Sequence, residues 1–167
     1  VVTTADSANG ATVTVTGMGV TDTCTVSSNA CTVTVAAADL QSLTDGTTYT
    51  INVALTADAA GNTATSDTGD TFVYDITAPS ISNVVPSWGT YLNAAEDNAD
   101  GTITITTSGA ANGQTVTVTG MGVTDTCSLT TNTCVVTVAA ADLQALTNGN
   151  TYTINVALTA DAAGNTA

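Results

Sequence analysis

The stretch Tyr49-Thr-Ile-Asn-Val-Ala-Leu-Thr-Ala-Asp-Ala-Ala-Gly-Asn62 carries the clearest structural signal in the chain, and it returns unaltered at residues 152–165, 103 positions later. From Tyr49 to Leu55, larger apolar residues alternate with smaller or polar ones, which is the period-2 pattern of a strand with one buried face. Segments containing Gly46 and Gly61 flank the alternation and favour turns. The stretch therefore predicts a β-strand between two loops, present twice.

Charge composition limits the functions open to this protein. Its 167 residues include 14 Asp and Glu but no Lys, Arg or His. Repulsion from phosphate groups excludes nucleic acid and anionic membrane surfaces as partners. Catalysis would have to proceed without imidazole, amine or guanidinium groups, so we expect no enzyme. We also expect no membrane insertion, because no apolar run approaches the roughly 20 residues of a membrane helix.

Four cysteines form two pairs with the same spacing, Cys24 with Cys31 and Cys127 with Cys134. Each pair brackets a predicted hairpin, with the first turn at Ser27-Ser28, so the two cysteines would face each other across the strands. This arrangement predicts one disulfide per pair, whereas free thiols or half of a metal site are the alternatives. Disulfides indicate an oxidising compartment, so we expect an extracellular or cell-surface protein.

Short alternating segments recur along the whole chain, separated by turn-forming residues. They lie at residues 12–16, 31–35, 49–55, 71–75, 81–85 and 102–106. About seven such strands per 100 residues predict an all-β fold of antiparallel sandwiches. Thr77-Ala-Pro79 stiffens the chain between two copies. We therefore predict domain 1–76, lacking its first strand, and domain 77–167, lacking its last.

Several short motifs carry a resemblance to a known family. Leu43-x-x-Gly46-x-x-Tyr49 looks like the tyrosine corner of an immunoglobulin-like domain. With Asp58-Ala-Ala-Gly-Asn62, Asp75-Ile-Thr-Ala-Pro79 and Leu92-Asn-Ala-Ala-Glu96, the chain resembles the bacterial immunoglobulin-like (BIg-type) tandem repeats of giant surface adhesins and biofilm proteins. The resemblance implies tandem immunoglobulin-like antiparallel β-sandwiches of about seven strands per repeat.

Carboxylates at the ends of such sandwiches are candidate calcium ligands. In a seven-strand sandwich, Asp161 should lie beside the incoming linker that carries Asp75, and Asp58 should occupy the same place towards a preceding unit. Two carboxylates about 5 Å apart repel by roughly 3 kcal/mol at an effective dielectric near 20. Since no cationic side chain exists to relieve this repulsion, a calcium ion with its oxygen ligands suits the junction.

A second acidic segment, Glu96-Asp-Asn-Ala-Asp-Gly101, spaces its oxygens like the first half of a calcium loop. The candidate calcium ligands are Asp58, Asp75, Glu96, Asp97, Asp100 and Asp161. The alternative is that these carboxylates are dispersed and solvated. We interpret the remaining repeated aspartates as surface or turn residues: Asp22, Asp39, Asp125 and Asp142.

The function expected from the sequence is mechanical. The chain would be a structural repeat module of an extracellular bacterial surface protein, an adhesin or biofilm stalk, that forms a rigid extended rod. Its partners would be neighbouring copies of the same repeat, in the same chain or in adjacent subunits. One alternative is a filament subunit that polymerises by strand exchange between immunoglobulin-like domains. Another is a calcium-dependent glycan-binding module.

Overall fold

Short antiparallel strands make up almost all of the regular structure of the chain. The computed structural model describes the backbone of residues 1–167 and every side chain except that of Thr68. The chain divides into two units, Val1–Asp75 and Ile76–Ala167. The all-β class and its antiparallel sheets are confirmed.

The first unit contains six strands and one short helix in its described residues. They are β1 (Val2–Thr3), β2 (Thr12–Thr16), β3 (Thr21–Thr25), β4 (Ala30–Cys31), α1 (Ala37–Gln41), β5 (Thr47–Leu55) and β6 (Asp67–Tyr74). One sheet has the order β1-β4 and the other the order β3-β2-β5-β6, with every pairing antiparallel. Alternation along β2 buries Val13 and Val15 and leaves its threonines half-exposed, as a half-buried strand requires.

The second unit also contains six strands and one short helix in its described residues. They are β7 (Ser80–Pro86), β8 (Gly101–Ser108), β9 (Thr115–Gly120), β10 (Val123–Ser128), β11 (Thr133–Val138), α2 (Ala140–Gln144) and β12 (Asn155–Leu158). Its sheets have the orders β11-β8-β7 and β10-β9-β12. The core between them is built on Ile103, Ile105, Val116 and Val118, all fully buried.

The repeated tyrosine makes the same contact in both units. The Thr44 N–H donates a hydrogen bond to the Tyr49 hydroxyl at 2.9 Å, and the Thr147 N–H donates to the Tyr152 hydroxyl at 2.8 Å. Each bond ties the phenol to backbone five residues upstream, as a tyrosine corner does. The bond from Thr147 lowers the pKa of Tyr152 below its ordinary value, because it favours the ionised phenolate.

Both predicted disulfides form, with Cα–Cα distances of 5.8 Å for Cys24–Cys31 and 5.9 Å for Cys127–Cys134. Their placement corrects the hairpin prediction. Cys24 lies in β3, opposite Val13 of β2, whereas Cys31 lies in β4, opposite Val2 of β1. The bond therefore joins the two sheets of the unit, not two paired strands.

The turn between these cysteines is also displaced from its predicted position. Ser28 and Asn29 have φ values of 52° and 62°, and Ser27 pairs with Ala30 across them. The turn is thus centred one residue later than Ser27-Ser28, where asparagine tolerates the left-handed conformation. Val26, which is 1% exposed and belongs to the core cluster of the first unit, separates β3 from this turn.

Candidate functional site

The loop after β5 is closed by its own aspartate. Asp58 Oδ1 accepts hydrogen bonds from the N–H groups of Ala60 and Asn62 at 2.9 and 2.8 Å. Asp58 Oδ2 accepts one from Asn62 Nδ2 at 2.7 Å. These bonds lower the pKa of Asp58 below its ordinary value of 3.8, the Asn62 side chain having the largest effect. The carboxylate is therefore already engaged in holding its own loop.

Asp161 closes the equivalent loop of the second unit in the same way. Its Oδ1 accepts hydrogen bonds from the N–H groups of Ala163 and Asn165, both at 2.9 Å, and its Oδ2 accepts one from Asn165 Nδ2 at 3.0 Å. Asp161 is half-buried, whereas Asp58 is exposed. Desolvation is accordingly the largest single influence and raises the pKa of Asp161, but the hydrogen bonds together outweigh it and lower the pKa.

The acidic segment before β8 is organised by an asparagine. Glu96 Oε2 accepts hydrogen bonds from the Asn93 N–H at 3.0 Å and from Asn93 Nδ2 at 2.6 Å. Asn93 Oδ1 accepts one from the Ala95 N–H at 2.9 Å, and the Asp97 N–H donates to the Asn93 carbonyl at 3.1 Å. The predicted ligand Glu96 therefore fixes the start of a turn.

Asp100 makes a contact that the sequence does not reveal. Its Oδ1 accepts a hydrogen bond from the Ala140 N–H at 2.9 Å, although the two residues are 40 positions apart. Ala140 is the first residue of α2, and Ala139 before it has no capping side chain. Asp100 thus supplies the acceptor that the first turn of α2 needs, and its negative charge suits that end of the helix.

The structure does not gather the six predicted ligands into a metal centre. Among the described residues, no group of three or more His, Cys, Asp or Glu side chains is placed to hold a metal ion. Asp75 is the last residue of the first unit and is half-buried. Calcium binding by the six carboxylates therefore stays a prediction from the sequence.

Asp22 differs from the surface or turn residue that the sequence predicts. It lies within β3, directly opposite the buried Val15, and is itself half-buried. Its Oδ2 is buried without a hydrogen-bond partner, the one such side-chain atom in the described part of the chain. Asp125 lies at the same position of β10, opposite Val118. The period-2 pattern of the strand could have placed both on the inner face.

The second unit has a groove that the spacing of residues in the sequence does not reveal. It has a volume of about 680 Å³ and lies among Trp88, Tyr91, Asp97 and Tyr152. In the first unit, Phe72 of β6 stacks on Tyr49 with ring centroids 5.8 Å apart. Tyr152, the counterpart of Tyr49, is 37% exposed. Only the shared fold, not residue spacing, could have shown that Trp88, Tyr91 and Tyr152 line one groove.

Comparisons with known proteins give two similar solved structures. One is a Ca²⁺-stabilized adhesin that helps an Antarctic bacterium reach out and bind ice. It is 34% identical, with a TM-score of 0.47, and the match covers 96% of this chain and 38% of that chain. The other is a 1.5-MDa bacterial ice-binding adhesin studied for host cell surface retention. It is 29% identical, with a TM-score of 0.48, over 97% of this chain and 51% of that chain.

Both similar proteins are adhesins, and this chain spans less than two thirds of either solved chain. No protein-family model matches the chain, and no curated protein matches it. Because both TM-scores lie below 0.5, the fold assignment rests on the strand pairing described above.

The disulfide bonds bear on where the protein resides. The two disulfides are typical of secreted and surface proteins. None of the described helices has the length and hydropathy that a membrane span needs.

Proposed function

We propose that the chain is a structural repeat module of an extracellular bacterial surface protein, an adhesin or biofilm stalk, whose successive immunoglobulin-like units form a rigid extended rod. The observation that carries this proposal is the return of the same structural parts after 103 residues. Both units have an inter-sheet disulfide, a tyrosine bonded to backbone and a loop closed by aspartate. Stacking of repeated units, each in contact only with its neighbours, gives an elongated molecule.

The composition supports a mechanical role over a catalytic one. Each unit is held by a valine- and isoleucine-rich core and by a covalent bond between its sheets. With 14 carboxylates and no cationic side chain, neighbouring molecules repel one another, which favours separate, soluble stalks. The same composition lacks imidazole and amine groups for proton transfer.

Small-angle X-ray scattering of the 167-residue chain tests the rod. We expect an elongated particle whose largest dimension is close to the summed lengths of two sandwiches and is unchanged over a concentration series. A broad, flexible distribution of dimensions, or a particle no longer than one sandwich, would contradict the proposal.

A second candidate is a filament subunit that polymerises by strand exchange. The observation that favours it is that β3 and β10 lie at sheet edges, each paired on one side only among the described strands. Unpaired edges bind further strands readily. Light scattering separates the two candidates, because a filament subunit grows in mass with concentration and a stalk module does not.

A third candidate is a calcium-dependent glycan-binding module, and the groove beside Trp88 and Tyr91 favours it. Aromatic faces with neighbouring polar groups are suited to sugar rings. A glycan array probed with and without calcium tests this candidate. Binding that disappears in the Trp88→Ala variant would support it, and uniform blanks would leave the stalk module as the better proposal.

A further inference from the structure

β3 and β10 occupy the same edge position in the two units. Among the described strands, each pairs on one side only, β3 with β2 and β10 with β9. In the first unit, the strand that follows β5 is β6, and it pairs with β5. In the second unit, the strand that precedes β8 is β7, and it pairs with β8. Neither neighbouring segment of the chain therefore covers the edge of β3 or β10.

The open side of each edge strand presents backbone groups that have no strand partner. The Val26 N–H continues the register of β3 by donating to the Ala11 carbonyl at 2.8 Å, and the Leu129 N–H continues that of β10 by donating to the Gln114 carbonyl at 2.9 Å. Backbone groups point to the two sides of an antiparallel strand in alternation. The residues that direct theirs to the open side are therefore Thr21, Thr23 and Thr25 in β3, and Thr124, Thr126 and Ser128 in β10.

Each edge strand carries one charged residue, and that residue points inward. Asp22 stands opposite the buried Val15, and Asp125 stands opposite the buried Val118. Both aspartates are half-buried, whereas the threonines on either side of them are exposed. Asp22 Oδ2 is buried without a hydrogen-bond partner among the described residues. The outer face of both strands is thus uncharged, and the only carboxylate lies on the inner face.

This placement makes a further strand at the edge unfavourable. A strand laid against the open side of β3 would cover the part of Asp22 that still contacts water. The chain has no cationic side chain, so a second copy cannot supply a counter-charge and brings another carboxylate at its own edge. Burial of a carboxylate without a paired charge is costly. An inward-pointing charge is accordingly one of the devices that keep sheet edges from associating.

We propose that Asp22 and Asp125 keep the β3 and β10 edges from pairing with a second copy of this chain. Without the two carboxylates, each edge is a row of free backbone groups flanked by threonines, which suit a strand. The two edges are therefore latent surfaces for self-association, each closed by a single side chain. The inference goes beyond the stalk module and counts against polymerisation of the parent protein through these edges. Particle dimensions, which test the rod, do not depend on it.

Two double variants of the 167-residue chain, each lacking two of its 14 carboxylates, provide the test. D22N/D125N removes the charges from the edge strands, and the matched control D39N/D142N removes them from α1 and α2. Analytical ultracentrifugation over a concentration series measures the mass in solution. We expect the parent and the control to keep the mass of one chain, 16.4 kDa. D22N/D125N should reach at least about twice that mass, as a two-fold dimer requires.

Proline substitutions identify the surface through which the variant associates. Thr23 and Thr126 direct their N–H groups to the open side, so a proline there removes an edge donor and leaves the pairing with β2 or β9 intact. We expect T23P/T126P, added to D22N/D125N, to restore the mass of one chain. D22T/D125T, with a residue that suits a strand, repeats the test if asparagine disturbs the fold.

Three results would each overturn the proposal. The first is that D22N/D125N and D22T/D125T both keep the mass of one chain. The second is that D39N/D142N associates to the same extent as D22N/D125N, because net charge alone would then explain the effect. The third is that association persists after the proline substitutions, which would place the contact on another surface.

Discussion

Gly17 and Gly120 set how closely neighbouring backbones approach one another. Their φ values are 121° and 115°, in the region that favours glycine. A Cβ added at Gly17 would lie 1.8 Å from the Thr50 carbonyl oxygen, and one at Gly120 would lie 2.0 Å from that of Thr153. Both the backbone conformation and the packing therefore require glycine at these two equivalent positions.

Substituting Gly17 with alanine should destabilise the first unit strongly. We expect G17A to lower the free energy of unfolding by about 2–5 kcal/mol, combining the strain of a left-handed alanine with displacement of a strand backbone. Gly10→Ala is the matched control, because Gly10 has a φ of 95° but nothing within 4 Å of an added Cβ. Gly10→Ala should lower the free energy of unfolding by only about 1–2 kcal/mol. Equal losses in urea denaturation would show that the close approach at Thr50 is unimportant.

The depressed pKa values of Asp58 and Asp161 make the stability of their loops depend on pH. A carboxyl group whose pKa is lower in the folded than in the unfolded chain contributes stability above its unfolded pKa, about 3.9. That contribution is lost as the pH falls through the folded pKa. We therefore expect both loops to loosen only below about pH 4, with no change near neutrality.

Carboxyl carbon shifts followed by NMR measure these two pKa values directly. Asn62→Ala should raise the pKa of Asp58 towards 3.8, because the Asn62 side chain is its largest lowering influence. Asp161 in the same variant serves as the internal control, since its partner Asn165 is untouched. If the titration of Asp58 did not move in N62A, the Asn62 side chain would not be the source of the shift.

At the scale of the element, the same sequence gives strands of different length. Residues 49–55 lie wholly within the nine-residue β5, whereas in the identical stretch of the second unit only Asn155–Leu158 forms a strand. The alternation predicts which face is buried in both cases. It could not predict the length, because β5 pairs with β2 and β6 while β12 pairs with β9 alone among the described strands. Strand length here depends on the neighbour.

The disulfides show a similar limit of sequence reasoning. The spacing of Cys24 and Cys31 was sufficient to predict their bond, since seven positions and a turn bring them together. It could not show that they belong to different sheets, because this depends on the pairing of β3 with β2 and of β4 with β1. For the carboxylates, spacing revealed the loops of Asp58 and Asp161 but not the long-range contact of Asp100.

Removing the inter-sheet disulfide should destabilise the first unit, because the unfolded chain regains the conformational entropy that the closed loop had removed. We expect the C24A/C31A double variant to lose roughly 2–3 kcal/mol of unfolding free energy by the chain-entropy model. Chemical reduction should lower the free energy of unfolding of the parent protein by a similar amount. In the double variant, reduction should leave the stability of the first unit unchanged. A parent protein whose urea midpoint is insensitive to reductant would show that the sheets hold together without the bond.

Two substitutions of Asp100 distinguish a role in capping α2 from a role in calcium binding. We expect D100A to cost about 1 kcal/mol through loss of the acceptor for the Ala140 N–H. D100N keeps an amide oxygen as acceptor and should lose only the charge contribution, about 0.3–1 kcal/mol. Urea unfolding of the second unit in calcium-free buffer measures both. Greater destabilisation by D100N than by D100A would rule out the capping role.

At the scale of the whole molecule, a net charge of −14 with no cationic side chain means that every pair of ionised side chains repels. Such repulsion opposes the compact state and is weakened by salt. Raising the ionic strength from about 0.01 M to 0.15 M shortens the Debye length from about 30 Å to about 8 Å. We expect the melting temperature to rise over this range, and a flat response would show that the carboxylates are too dispersed to interact.

A calcium ion bound at the predicted junction of Asp75 and Asp161 should stabilise the protein by more than charge screening does. At constant ionic strength, calcium at 100 times its dissociation constant would raise the free energy of unfolding by about 2.7 kcal/mol, because it binds only the folded chain. If divalent cations acted by screening alone, calcium and magnesium would shift the melting temperature equally. Asp75→Ala should abolish the calcium-specific rise in melting temperature. Asp39→Ala, which removes the same charge from α1, should retain it. Equal melting curves in calcium and magnesium would show that the 14 carboxylates act only as a solvated, mutually repelling surface.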